Sequence, residues 1–258
     1  LTNGEVDIID GIDANVVDQI TAAGCVLNKV EGMNINYMAY NTDVLTDPEV
    51  RKALSQAINV PELVESLYRG YASEATTILP SFVPGYSSDV HQVSYDPEAA
   101  QATLAEKGVT DIYMVAYTNP RPYNTATGQT LAEAIQGYWA KVGVNCRIDT
   151  FDWTSYIDKC NTGDFDVCLF GWTGDNGDPD NFLNLLANED IGINVAHYKN
   201  DEYNAMLAEA VSLPNGDERN ALYGEMEQKL ADECVWLPIS HQESLSAYVS
   251  NVHNFIYH

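Results

Sequence analysis

Positive charge is scarce in this sequence. Its 258 residues carry 12 lysines and arginines against 38 aspartates and glutamates, a formal net charge of -26. So acidic a surface repels phosphate backbones and anionic headgroups, which excludes nucleic acid and argues against a membrane-surface partner. No run approaches the ~20 consecutive apolar residues that a bilayer span requires. The first residues, Leu1-Thr2-Asn3-Gly4-Glu5, are polar and acidic rather than a basic and then apolar leader. The expectation is that any export signal has been removed or lies outside this stretch.

Signatures of metal and nucleophile chemistry are equally sparse. Cys25, Cys146, Cys160, Cys168 and Cys234 form no C-x-x-C pair and have no histidine at zinc-ligand spacing. Cys146 and Cys168 fall in expected strands, so buried free thiols are expected there. Asp175-Asn176-Gly177-Asp178-Pro179-Asp180 has the outline of a calcium loop, but Gly177 and Pro179 occupy ligand positions and Leu186 stands where a glutamate is needed. No G-x-S-x-G occurs. No metal and no cofactor is expected. An acidic hydrolase using paired carboxylates stays open, although nothing fixes two acids at a defined separation.

What the chain does have is punctuation. Asp47-Pro48, Asp96-Pro97 and Asp178-Pro179 each place an acid at the N-cap before a proline at the first helical position. Val50, Ala53, Leu54, Ala57 and Ile58 follow at helical spacing, and Pro61–Arg69 and Pro97–Lys107 end at Gly70 and Gly108. From residue 112 the chain alternates: strand Ile112–Thr118, helix to Val142, strand Val144–Phe151, helix Trp153–Cys160, strand Asp166–Trp172, helix through Leu186. That alternation predicts an α/β fold with a largely parallel sheet. Val6–Ile9 and Asn34–Asn41 read as strands. Helices Asp201–Leu213 and Asp217–Glu233 precede two expected strands, Val235–Ile239 and Leu245–Val249.

Two loops could carry chemistry, because ligands of open α/β sheets bind beyond the carboxyl ends of the strands. One holds Arg121 between Pro120 and Pro122, a stiff setting for a guanidinium that can grip a carboxylate. The other, Gly171 to Phe182, holds Asp175 among three glycines, while Asp178 is accounted for as an N-cap. A fixed cation and a fixed anion facing one crevice would suit a zwitterion. The competing readings are a surface arginine paired with an acid and a turn-forming aspartate.

The stretch Gly171-Trp172-Thr173-Gly174-Asp175-Asn176-Gly177-Asp178-Pro179-Asp180-Asn181-Phe182 resembles the signature of the dipeptide-binding proteins of ABC importers. Arg121-Pro122-Tyr123-Asn124 is similar to a second motif of that family. Further matches are Asn34–Asn41, Asp47–Leu54, Tyr95–Ala100 and Trp139–Val144. The resemblance implies a two-lobed clamp of the periplasmic-binding class II type that binds short peptides rather than catalysing a reaction. It implies that Arg121 takes the peptide carboxylate, Asp175 its ammonium, and that Tyr123, Trp172 and Asn124 complete the site. The implied partners are a short peptide, an ABC permease in the membrane, and the missing N-terminal lobe, since members are about twice as long. The implied location is extracytoplasmic, in the periplasm or lipid-anchored on the outer membrane face. Residues 1–33 would belong to the partner lobe, 34–240 to the main ligand-binding lobe, and 241–258 would return towards the partner lobe. The span Ala187–Tyr198 lacks a cysteine pair that some members carry, and haem- or nickel-binding relatives leave the ligand open.

Overall fold

The structure, a computed structural model, describes residues 1–188 and 193–256; positions 189–192 of the cysteine-free span and the last two residues of the 241–258 segment lie outside them. In chain order the first part forms β1 (Ile8–Asp10), α1 (Val17–Ala22), β2 (Val26–Glu31) and β3 (Asn34–Tyr40). Then come α2 (Pro48–Gln56), α3 (Val60–Tyr68), β4 (Ala72–Glu74), α4 (Pro97–Glu106) and β5 (Asp111–Tyr117). The alternating stretch continues with α5 (Gly128–Lys141), β6 (Asn145–Phe151), α6 (Trp153–Thr162), β7 (Val167–Thr173) and α7 (Asp180–Ala187). It closes with α8 (Asp201–Ser212), α9 (Asp217–Asp232) and β8 (Trp236–Tyr248).

The punctuation works as the residue types require. Asp47 accepts a hydrogen bond from the Glu49 amide and Asp96 one from the Ala99 amide, each ahead of an N-terminal proline. Asp178 accepts from the Asp180 amide at 2.9 Å, although α7 proper starts two residues after it. Trp139 is fully buried and donates its indole N–H to the Leu54 carbonyl, tying α5 to α2.

The sheet is mixed α/β, which corrects the expectation of a largely parallel one. Its order is β1-β8-β3-β7-β5-β6, with β2 and β4 also paired to β8. Among the described residues the parallel pairs are β5–β6 and β5–β7; β3 is antiparallel to β7 and β8, and β1, β2 and β4 are antiparallel to β8. Helical crossovers dictate parallel pairing only within the β5–β7 run. β3 and β8 reach the sheet from the two ends of the chain, where no crossover sets their direction.

A second correction concerns the C-terminal strands, which are one continuous strand. β8 pairs with β3 through Trp236–Ser240, with β4 through Ser240–Gln242, and with β2 through Glu243–Tyr248. Its polar middle reads as a break in hydrophobic pattern, yet those residues find partners. Gln242 and Asn34 bond reciprocally, amide N–H to side-chain oxygen and side-chain NH2 to carbonyl, both at 2.8 Å. β2 and α1, unforeseen from the sequence, pack a small apolar cluster of Ile12, Val17, Ile20, Leu245 and Ala247, separate from the main core.

Candidate functional site

β5 and β7 are parallel neighbours, paired at Met114–Val167 and Val115–Cys168. Their carboxyl ends therefore lie on one edge of the sheet, and so do the two loops that leave them.

The loop after β5 is built as a rigid mount. Arg121 and Asn124 exchange both backbone hydrogen bonds at 2.9 Å, closing a tight turn across Pro122 and Tyr123. The fully buried Asn124 side chain accepts from the Tyr68 hydroxyl and donates to the Tyr117 hydroxyl, both at 2.9 Å, and accepts from the Ala126 amide at 3.1 Å. Asn36 donates in turn to the Tyr68 oxygen at 3.0 Å. Asn36, Tyr68, Asn124 and Tyr117 thus form one buried relay from β3 to β5, with each of those bonds consistent in direction. The sequence motif had placed Asn124 among the ligand contacts. The structure places it under the loop, with its amide committed to the relay.

Arg121 has an unusual environment for this chain. Arg69, Arg147 and Arg219 are ion-paired with Asp18, Asp149 and Asp178, and Arg51 donates to the carbonyls of Leu45, Glu233 and Cys234. Arg121 makes neither kind of contact among the described residues. Its Cζ lies 3.7 Å from the centre of the Trp153 ring, and its Nε is buried without a hydrogen-bond partner. The Tyr123 hydroxyl is also buried and unpartnered. Burial pushes that phenol well above its ordinary range while the Arg121 guanidinium pulls it down; burial dominates, so the O–H stays available as a donor. Buried donors left open in this way are uncommon; the hydroxyls of Tyr37, Tyr198 and Ser240 share the condition, and what sets Arg121 and Tyr123 apart is that both stand on the loop that leaves the carboxyl end of β5.

The Tyr123 ring joins the two loops. It lies edge-on to Tyr117, with centroids 6.3 Å apart, and packs on Gly171 near the end of β7. A Cβ at Gly171 would collide with that ring and with the Ile35 carbonyl. Glycine here permits a close approach that no other residue allows.

Beyond β7, Asn181 organises the Asp175 loop. Its Oδ1 accepts from the Trp172 indole N–H at 3.0 Å and from the Asp175 amide at 2.8 Å, and its Nδ2 donates to the Asp175 carboxylate at 3.2 Å. Asp175 itself is exposed and has no ion-pair partner among the described residues. Gly174 donates its amide to the Met33 carbonyl at 2.7 Å, fastening the loop to the β2–β3 connection. The far side is held by Asp178, whose carboxylate takes two 2.9 Å hydrogen bonds from Arg219. That guanidinium keeps the Asp178 carboxyl below its usual range.

Residues 1–193 match the family described as bacterial extracellular solute-binding proteins, family 5, middle. The chain belongs to this family. It is 33% identical over 238 residues to the Heme-binding protein A of Haemophilus influenzae, an alignment covering 88% of this chain and 42% of that one. It is 34% identical over 223 residues to the Dipeptide-binding protein of Escherichia coli, covering 83% of this chain and 42% of the relative. Among solved structures, a dipeptide binding protein from Pseudoalteromonas in complex with Met-Leu superposes with a TM-score of 0.89 at 25% identity, covering 99% of this chain and 52% of that one. The chain thus spans about half the length, or somewhat less, of the relatives it matches. Among the described residues no helix is long and apolar enough to cross a membrane.

Of the five site residues expected from the sequence, Arg121, Tyr123 and Asn124 share one turn, and Trp172 and Asp175 are joined through Asn181. Trp153, Asn181 and Met33 belong to the same edge and were not anticipated. For Trp153 the signal was available: it follows the carboxyl end of β6, the strand beside β5, so the rule that singled out the other two loops applies to it as well.

Proposed function

We propose that this chain is part of the solute-binding component of an ABC importer, one that captures short peptides by their charged ends and delivers them to a membrane permease without altering them. In this reading the protein works outside the cytoplasm, in the periplasm or lipid-anchored on the outer face of the membrane. Residues 34–240 form the main lobe, and residues 1–33 and 241–258 belong with a partner lobe supplied by the rest of the protein. The separate small cluster around Leu245 and Ala247 supports that division.

The observation that carries the proposal is the pair of buried, open donors at Arg121 and Tyr123. A guanidinium kept free of acids, in a chain with 38 of them, is suited to a ligand carboxylate. Asp175, anchored but unpaired, would meet the ligand's ammonium from the same sheet edge. Trp172 supplies apolar wall between them, and Asn124 acts by positioning the Arg121 turn.

Calorimetry of the intact protein with di- and tripeptides tests this. Arg121→Ala is expected to weaken binding by roughly 10- to 100-fold, the worth of hydrogen bonds to a charged group. Unchanged affinity would remove Arg121 from the site. The similarity to Heme-binding protein A favours a second reading, because haem also presents carboxylates, on its propionates, to a guanidinium. A parallel haemin titration separates the two.

A further inference from the structure

The position of Arg121 raises a physical question: what holds a guanidinium in place when no acid does? The guanidinium lies over the Trp153 ring, its Cζ 3.7 Å from the ring centre. That ring is itself fixed on several sides. It stacks on Phe170 with centroids 5.9 Å apart at 27°, meets Tyr117 edge-on at 5.7 Å, and contacts Tyr156 at 5.8 Å. Its backbone is held as well, since Trp153 is the first residue of α6, capped by Asp152 through the Thr154 and Ser155 amides. Phe170 and Tyr156 are buried in the main core, so the platform moves only if the core does.

An aromatic platform does something an ion pair cannot. A carboxylate partner would occupy the in-plane N–H donors of the guanidinium and cancel its charge. A π-face attracts the cation through the ring quadrupole from above the plane and leaves the in-plane donors open. In a chain with so large an excess of acids, a neutral platform is the means of ordering one arginine without using it up. We infer that Trp153 is the positioning residue for Arg121, and that through it Trp153 sets the site's selectivity for a ligand bearing a free carboxylate. This rests on the reading of Arg121 as the carboxylate group.

The test compares Ala-Ala with its C-terminal amide, titrated into the intact wild-type protein and into Trp153→Phe and Trp153→Leu. Leucine keeps bulk and apolarity but has no π-face; phenylalanine keeps the face. We expect Trp153→Leu to lose roughly tenfold in affinity for Ala-Ala and less than about twofold for the amide, with Trp153→Phe restoring most of the loss. An equal loss for both ligands would show a merely structural role, and retained wild-type selectivity would show none; either overturns the inference. If wild type itself fails to prefer the free carboxylate, the reading of Arg121 falls first, and this inference with it. A measurement on ligand-free wild type guards against a misfolded variant. The Arg121 Nε–H resonance, assigned by its loss in Arg121→Lys, should be shifted upfield by the indole ring current, and an unshifted resonance would equally overturn the inference.

Discussion

Gly171 lies against the ring of Tyr123, and this contact brings the Arg121 turn down onto the strand that leads to Asp175. β5 and β7 fix the direction of their loops, but the approach of the loops to one another is set where a side chain is missing.

Gly171→Ala is therefore expected to be costly. The added methyl meets both the Tyr123 ring and the Ile35 carbonyl, and backbone cannot move aside as a flexible side chain can. Overpacking of this kind destabilises by about 1–3 kcal/mol. Urea unfolding should show the loss of stability, and calorimetry should show weakened peptide binding in the same variant, because the Arg121 turn is lifted.

Asn181→Leu removes three hydrogen bonds at nearly constant volume. The Trp172 indole N–H and the Asp175 amide lose their acceptor, and the Asp175 carboxylate loses the amide that orients it. The expected loss of stability is about 1–2 kcal/mol. The more telling readout is selectivity. Peptides with a free ammonium should bind more weakly, while N-acetylated peptides should be little affected; equal effects on both would place Asp175 outside the recognition of the ammonium.

Glu227 in α9 gives a pH prediction away from the site. It is buried, one carboxyl oxygen accepts from the Leu79 amide at 3.1 Å, the other has no partner, and burial pushes its pKa up to about 8. The folded protein therefore keeps this proton over a range in which the unfolded chain, near 4.3, releases it. Its contribution to stability is fully present below the unfolded value and is lost as pH rises through about 8. Glu227→Gln preserves shape and neutrality but cannot ionise. Between about pH 5 and 8, wild type should lose stability relative to the variant by up to about 1.4 kcal/mol per pH unit. Parallel denaturation curves across that range would show it, and parallel pH profiles would exclude it.

The local grammar of the chain is legible in the order of its residues. Asp-Pro pairs cap their helices as expected because the N-cap bond and the proline ring act within a few residues. The β5 and β7 loops share an edge because consecutive strand–helix–strand units run parallel. Sequence reasoning failed where direction is not locally encoded. β3 and β8 join antiparallel from the chain's two ends, and β8 runs unbroken through polar residues that find partners only in the folded sheet.

The same boundary runs through the site. By itself the sequence determined which residue types stand on the two loops, that Arg121 is stiffened by prolines, and to which family the chain belongs. It could not determine which of five arginines is left with neither an acid nor a backbone carbonyl, because pairing among 38 acidic residues is a matter of distance in space. Tertiary structure gave Asp18 and Asp178 to other arginines, committed Asn124 to a buried relay, and laid Arg121 on Trp153. Those outcomes come from contacts between residues far apart in the chain, and only packing brings them within reach.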